Sequence, residues 1–177
     1  RWPNNEYYNI WVVTEIQGND GGYGIQGFAY FPGSSSLYDG TIIMNTCFGS
    51  MGTVNAWNDM GRTLTHELAH GMGLYHSFEG DASGTPCPTG NGDFVSDTDP
   101  HKRSSSNCPS GINPCTGTTL QDVVHNFMDY SSQTCADMFT QGQADRMNTQ
   151  ISLFRSSLAS STTCSINDFN DLAITRV

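Results

Sequence analysis

A chain of 177 residues with 17 acidic and only 7 basic side chains carries a formal net charge of −10. That length suits one domain with a buried core, and the charge argues against nucleic acid or an anionic membrane as the main partner, since both demand Lys and Arg patches. With 19 glycines and a charged fraction of 14%, short strands and turns are expected rather than long charged helices. No segment resembles a signal peptide or a transmembrane span. Arg1 as first residue predicts a processed or trimmed chain.

In chain order, the β-branched and aromatic run "YNIWVVTEI" (Tyr8 to Ile16) predicts a strand. "NDGGYG" is a turn or loop, "GFAYFPG" a short strand ended by Pro32-Gly33, and "GTIIMNTCF" (Gly40 to Phe48) a further strand. A helix is expected from about Gly61 to Thr63 onward, with Leu64, Leu68 and Met72 along one face. From Glu79 to about Val123 little is periodic, and a loop of that length inside a domain needs a brace. Disulfides and bound cations are the natural candidates. Thr140 with Gln143 reads as a capping box opening a helix from about Gln141 to Leu158. Residues 1–160 read as one domain and 161–177 as a tail or linker.

The chemistry concentrates in "HELAHGMGLYH", His66 to His76. Residues four apart on a helix share a face, so His66 and His70 can point at one ion. Glu67, one position round, can reach a water on that ion and act as general base. Six residues turn a helix through about 600°, so His76 reaches the same point only if the helix ends first. Gly73 stands where that break belongs, because glycine accepts the left-handed backbone of a helix exit. Three histidine ligands leave a fourth position for water, the pattern of a catalytic zinc site. His101 and His125 lack such company and read as ordinary core or surface histidines. The six cysteines form no C-x-x-C pair, which favours disulfides in an oxidising compartment over a zinc ribbon; composition leaves their pairing open.

The full eleven-residue pattern resembles the metzincin clan of zinc endopeptidases, which also place a methionine turn beneath the metal. "NFMDY" offers Met128 for that turn and Tyr130 two residues on. Ser77 after the third histidine is also similar to matrix metalloproteinases. "HGMGLYHSFEG", "GDFVSDTDP" and "HNFMDYSSQTCADMFTQGQADRM" resemble the pappalysin family, above all its compact ulilysin-like prokaryotic members, from Tyr8 to Leu158.

The resemblance implies an α+β metzincin-type catalytic domain. It would hold a twisted, mostly parallel sheet, an active-site helix, an irregular lower part braced by calcium and disulfides, and a C-terminal helix. The strand and backing helix that metzincins place upstream have no counterpart here, so an N-terminal fragment or partner is expected over the face they would cover. The implied function is a secreted zinc-dependent endopeptidase acting on proteins or peptides, with His66, His70 and His76 as zinc ligands. Glu67 would be the general base and Tyr130 the stabiliser of the oxyanion. The implied calcium site is Asp93, Thr98 and carbonyls near Gly92 and Ser96, with Glu79 or Asp81 serving the same or a neighbouring ion. The implied disulfides are Cys87–Cys115 and Cys108–Cys135; Cys47 and Cys164 remain, either paired with each other, which is favoured in a secreted protein, or as two free thiols. Ser131 to Thr134, uncharged, would wall a specificity pocket. The non-enzymatic alternative is a catalytically weak, metal-bound binding module on the same scaffold; the presence of Glu67 and all three histidines favours the enzyme.

Overall fold

The structure, a computed structural model, describes residues 1–81, 87–90, 92–105 and 107–163. Its strands are β1 (Ile10–Val13), β2 (Gly27–Ala29) and β3 (Thr41–Met44). Its helices are α1 (Arg62–Gly71), α2 (Gln121–Val124), α3 (Gln141–Phe154) and α4 (Ser156–Ala159). β3 is central, parallel to β1 and antiparallel to β2, so one of the two pairings is parallel.

The strands are shorter than the β-rich runs in the sequence suggest. After β1 the chain closes on itself, with Ile16 and Asn19 exchanging backbone hydrogen bonds of 2.9 Å. After β3 it tightens into a 3-10 turn, Asn45–Cys47, whose Thr46 carbonyl accepts from Asn55 N–H at 2.9 Å. Burial explains why the middle of β3 stays extended. Ile43 and Met44 are sealed from solvent and cluster with Ile16 and Cys47, against Val13, Phe28, Ile42 and Leu64. Each such side chain contributes about 2–3 kcal/mol by leaving water.

α1 lies across β2 and β3. The close approach is possible because Gly27 has no side chain: a Cβ there would sit 2.8 Å from Cγ of Glu67 and 3.1 Å from the Ile42 carbonyl. On β1, Ile10 and Val12 register with Thr41 and Ile43 yet stay 40% and 47% exposed. The strip of this sheet beside α1 is therefore uncovered.

α3 opens with the capping box, in which Thr140 and Gln143 satisfy each other's backbone N–H groups. It ends at Phe154 rather than running on to Leu158. Arg155 leaves helical geometry (φ −132°, ψ 26°) because its guanidinium is drawn inward, to the Asp39 carboxylate at 2.5 Å and the Gly71 carbonyl at 2.9 Å. The deepest anchors of this segment are thus polar, Gln143 and Arg155, while Leu153 and Phe154 remain exposed.

Between Glu79 and Leu120 the described residues form no helix or strand. Disulfides join Cys87 to Cys115 and Cys108 to Cys135. Cys47 is buried, its Sγ 3.2 Å from the Asn58 amide nitrogen; the expected pairing with Cys164 lies outside the described residues, as do residues 164–177 of the expected tail.

Candidate metal centre

α1 stops where Gly73 requires it to. Leu74 N–H bonds the Ala69 carbonyl at 3.0 Å and Gly73 N–H bonds the His70 carbonyl at 2.9 Å, the paired closure of a Schellman motif. Gly73 takes φ +97°, which an L side chain adopts only under strain. The chain then doubles back, and His76 comes level with His66 and His70. The Nε2 atoms of His66 and His70 are 3.1 Å apart, as are those of His70 and His76. Among the described residues this is the one group of three His, Cys, Asp or Glu side chains close enough to share an ion.

Backbone carbonyls set which nitrogen faces inward. His66 Nδ1 lies 2.6 Å from the Phe127 carbonyl and His70 Nδ1 lies 2.7 Å from that of Leu74. A carbonyl only accepts, so both Nδ1 atoms carry the proton and both Nε2 lone pairs point into the cluster. Burial and mutual repulsion keep the rings neutral. Desolvation, then His70, pushes His66 down to about 4. Desolvation, then the other two imidazoles, pushes His76 down to about 2, and desolvation lowers His70. Three neutral imidazoles with converging lone pairs fit a borderline-soft divalent cation of zinc type.

Glu67 is buried beside them, and desolvation raises its carboxyl to about 8. A cation within the imidazole cluster would favour the carboxylate and draw that value down. Met128 is fully buried beneath α1 with Ala69 and Leu74, packed by Phe139 and Met147. Its carbonyl accepts from Ser77 N–H at 3.1 Å, which stitches the turn to the residue after His76. The Tyr130 ring stands 4.9 Å from that of His76, 5.8 Å from His66 and 4.8 Å from Phe78. Ser131 to Thr134 follow, and Gln133 ties this segment to the start of α1 through Thr63 Oγ1 at 2.7 Å and Met60 N–H at 3.1 Å.

The acidic loop meets the segment before His76 through Phe94, whose ring lies 5.4 Å from that of Tyr75. Asp93 is buried, and desolvation raises its carboxyl; both carboxylate oxygens face Thr98 Oγ1 at 2.8 Å. Its neighbours are committed elsewhere. Asp97 accepts from Gly142 N–H at 2.9 Å and Thr140 Oγ1 at 2.8 Å, at the opening turn of α3. Asp99 accepts from Thr118 at 2.6 Å, and Asp81 pairs with Arg103 at 2.9 Å. Sequence patterns do not disclose the Phe127 and Leu74 carbonyls, because any residue supplies a carbonyl. They likewise do not disclose Asp97 as a partner of α3. His125 is partly exposed beside Asp137, whereas His101 is fully buried against Asp129.

A helix and a left-handed exit that gather three imidazoles, with a carboxylate on the same helix and a buried methionine below, belong to a metzincin-type fold. The chain belongs to the Peptidase M43 family, described as pregnancy-associated plasma protein-A, whose model matches residues 1–152. It is 40% identical over 136 residues to an extracellular metalloprotease of Coccidioides posadasii, covering 75% of this chain and 47% of that protein. It is 42% identical over 136 residues to an extracellular metalloprotease of Sordaria macrospora, covering 73% and 45%. Its fold is similar to that of mature mirolysin of Tannerella forsythia in complex with a cleaved peptide, with TM-score 0.73, 30% identity, and 89% of this chain and 58% of that chain covered. The chain thus spans about half the length of the curated relatives it matches. A metalloprotease family implies a metal, and the imidazole donor set suits one.

Proposed function

We propose that residues 1–160 form the catalytic domain of a secreted zinc endopeptidase that cleaves peptide bonds in proteins or peptides, with 161–177 as a tail. The observation that carries this reading is the convergence of three imidazoles, with His70 Nε2 3.1 Å from Nε2 of both His66 and His76, beside the buried Glu67. Zinc in that cluster would supply Lewis acidity, acidifying water and polarising a substrate carbonyl. His66, His70 and His76 would hold it, with His66 and His70 aimed by backbone carbonyls. Glu67 takes the proton of the attacking water and passes it to the leaving amine. Tyr130, its phenol beside the cluster, donates a hydrogen bond to the oxygen on which charge develops. Met128 supports the imidazoles from below, and Gly73 sets the turn that delivers His76.

The names of the relatives and the two disulfides support an extracellular setting. No helix of the described residues is long and apolar enough to cross a membrane. Calcium, bound by the Asp93 carboxylate, Thr98 and carbonyls near Gly92 and Ser96, would relieve the cost of burying that carboxylate; the donors are hard oxygens, as calcium requires. The uncovered Ile10 and Val12 support an N-terminal fragment or partner packing beside α1.

The test is cleavage of casein or gelatin by the purified protein. Activity should stop with the zinc chelator phenanthroline and fall by about 10²–10⁴ on Glu67→Ala. Undiminished proteolysis in Glu67→Ala would overturn the mechanism. EGTA, which also binds zinc, should lower Tm and speed proteolytic nicking of residues 79–120, and added calcium but not added zinc should restore both; no change on EGTA, or recovery with zinc alone, would remove the calcium site from the reading.

A further inference from the structure

His101 and Asp129 form a buried polar pair outside the imidazole cluster. His101 is 1% exposed, and its Nε2 lies 3.3 Å from Oδ1 of an equally buried Asp129. The approach is that of an ion pair rather than an aligned hydrogen bond. His101 Nδ1 lies 2.9 Å from the Asp99 carbonyl, so that nitrogen carries a proton. Burial opposes charge on the ring. The Asp129 carboxylate, the Asp99 carbonyl and the more distant Asp93 outweigh it and hold the ring above the usual histidine range.

Asp129 also accepts from Ser104 N–H at 3.1 Å, and His101 is the side chain paired with it. Asp129 sits between Met128, in the floor under α1, and Tyr130. His101 also meets Phe78 edge-on, ring centres 6.3 Å apart, and Phe78 stacks on His76 at 4.7 Å while touching Tyr130 at 4.8 Å. The histidine therefore bears on Tyr130 twice, through the residue before it in the chain and through the ring beside it.

We propose that His101 is a positioning residue for Tyr130: by fixing Asp129 and backing Phe78 it sets the phenol against the imidazole cluster. The inference rests on the peptidase reading given above. A histidine that merely filled the core would affect folding alone, and its loss would act independently of Tyr130.

The experiment is a double-mutant cycle on the full chain loaded with zinc, read as kcat and KM on a peptide substrate. His101→Leu should lower kcat about tenfold with KM little changed, yet cost less than about twofold in a Tyr130→Phe background. His101→Gln, whose amide can still donate to Asp129, should recover most of the loss. In parallel, NMR of the same proteins should show Overhauser contacts from the Tyr130 ring to the His66 and His76 rings. They should persist in His101→Gln and weaken in His101→Leu. Equal losses in both backgrounds, or unchanged ring contacts in His101→Leu, would overturn the proposal. If His101→Leu does not fold, His101→Asn, too short to reach Asp129, replaces it: a kcat loss that shrinks in the Tyr130→Phe background supports the proposal, and unchanged kcat or an equal loss in both backgrounds overturns it. If the wild type cleaves nothing, the peptidase reading fails, and the ring contacts alone decide whether His101 places Tyr130.

Discussion

Two regions of this protein reach order by different means. Around the sheet and α1, apolar side chains do the work: Ile43, Met44, Leu74 and Met128 are all but sealed from water. From Glu79 to Leu120 almost no apolar side chain is buried among the described residues. There the chain is held by two disulfides and by side chains reaching backbone, such as Asp93 to Val95 N–H and Asn113 to the Pro100 carbonyl. Apolar burial is non-directional and tolerates modest changes of shape. The lower region depends on individual directed bonds, each of which either forms or fails.

The contrast sets what should hurt most. Ile43→Ala should cost about 2–5 kcal/mol, through lost transfer energy and the cavity left behind. Chemical denaturation should show one cooperative loss, with sheet and helix failing together. A core loss confined to the loop would contradict the division. Replacing Cys87 and Cys115 by serine removes a crosslink of sequence separation 28, worth about 3–4 kcal/mol by loop entropy. Its signature should differ. Limited proteolysis should nick residues 79–120 well before amide exchange quickens in α1. Uniform loss of protection across the chain would show that the two regions are one cooperative unit.

What could be read from the sequence divides along the same line. The spacing of His66, His70 and His76 and the glycine between them specify local geometry, and α1 with its exit obeys it. The capping box of Thr140 and Gln143 is equally local. The break at Arg155 was not legible, because it depends on Asp39, 116 residues away in sequence. For the same reason Asp97, in a segment that reads as a cation loop, gave no sign of bonding the first turn of α3, 45 residues on. His101 carries no motif at all. Its burial follows from a loop whose path is set by disulfides and paired acids, not by any periodic pattern.

Gly27→Ala probes the seam between strand and centre. The added methyl would meet the Glu67 side chain at 2.8 Å and the Ile42 carbonyl at 3.1 Å. Glu67 can swing aside more readily than the backbone can, so stability should change by only about 1 kcal/mol. Peptide cleavage should fall further, about tenfold or more, because a misplaced base transfers protons poorly. Comparing Tm with kcat in this one variant separates the two effects. Normal kcat would show that Glu67 need not pack on β2.

Asp97 gives the smallest effect and the most local one. Gly142 N–H, followed by Thr140, holds its carboxyl below the usual aspartate range, despite some opposing desolvation. A depressed folded value means that the charged form is favoured by folding. The stabilisation is complete above the unfolded value near 3.9 and disappears as pH falls through the lower folded value. Asp97 is exposed and its charge is screened by solvent, so Asp97→Asn should cost only about 0.3–0.5 kcal/mol at neutral pH, the low end of a helix N-terminal contact. The difference between variant and wild type should vanish in strong acid. Thermal melts of both proteins from pH 7 down to pH 2 would measure it. A gap that stayed constant with pH would mean that the carboxylate charge does nothing for α3, and that the tie between the acidic loop and this helix is one of shape alone.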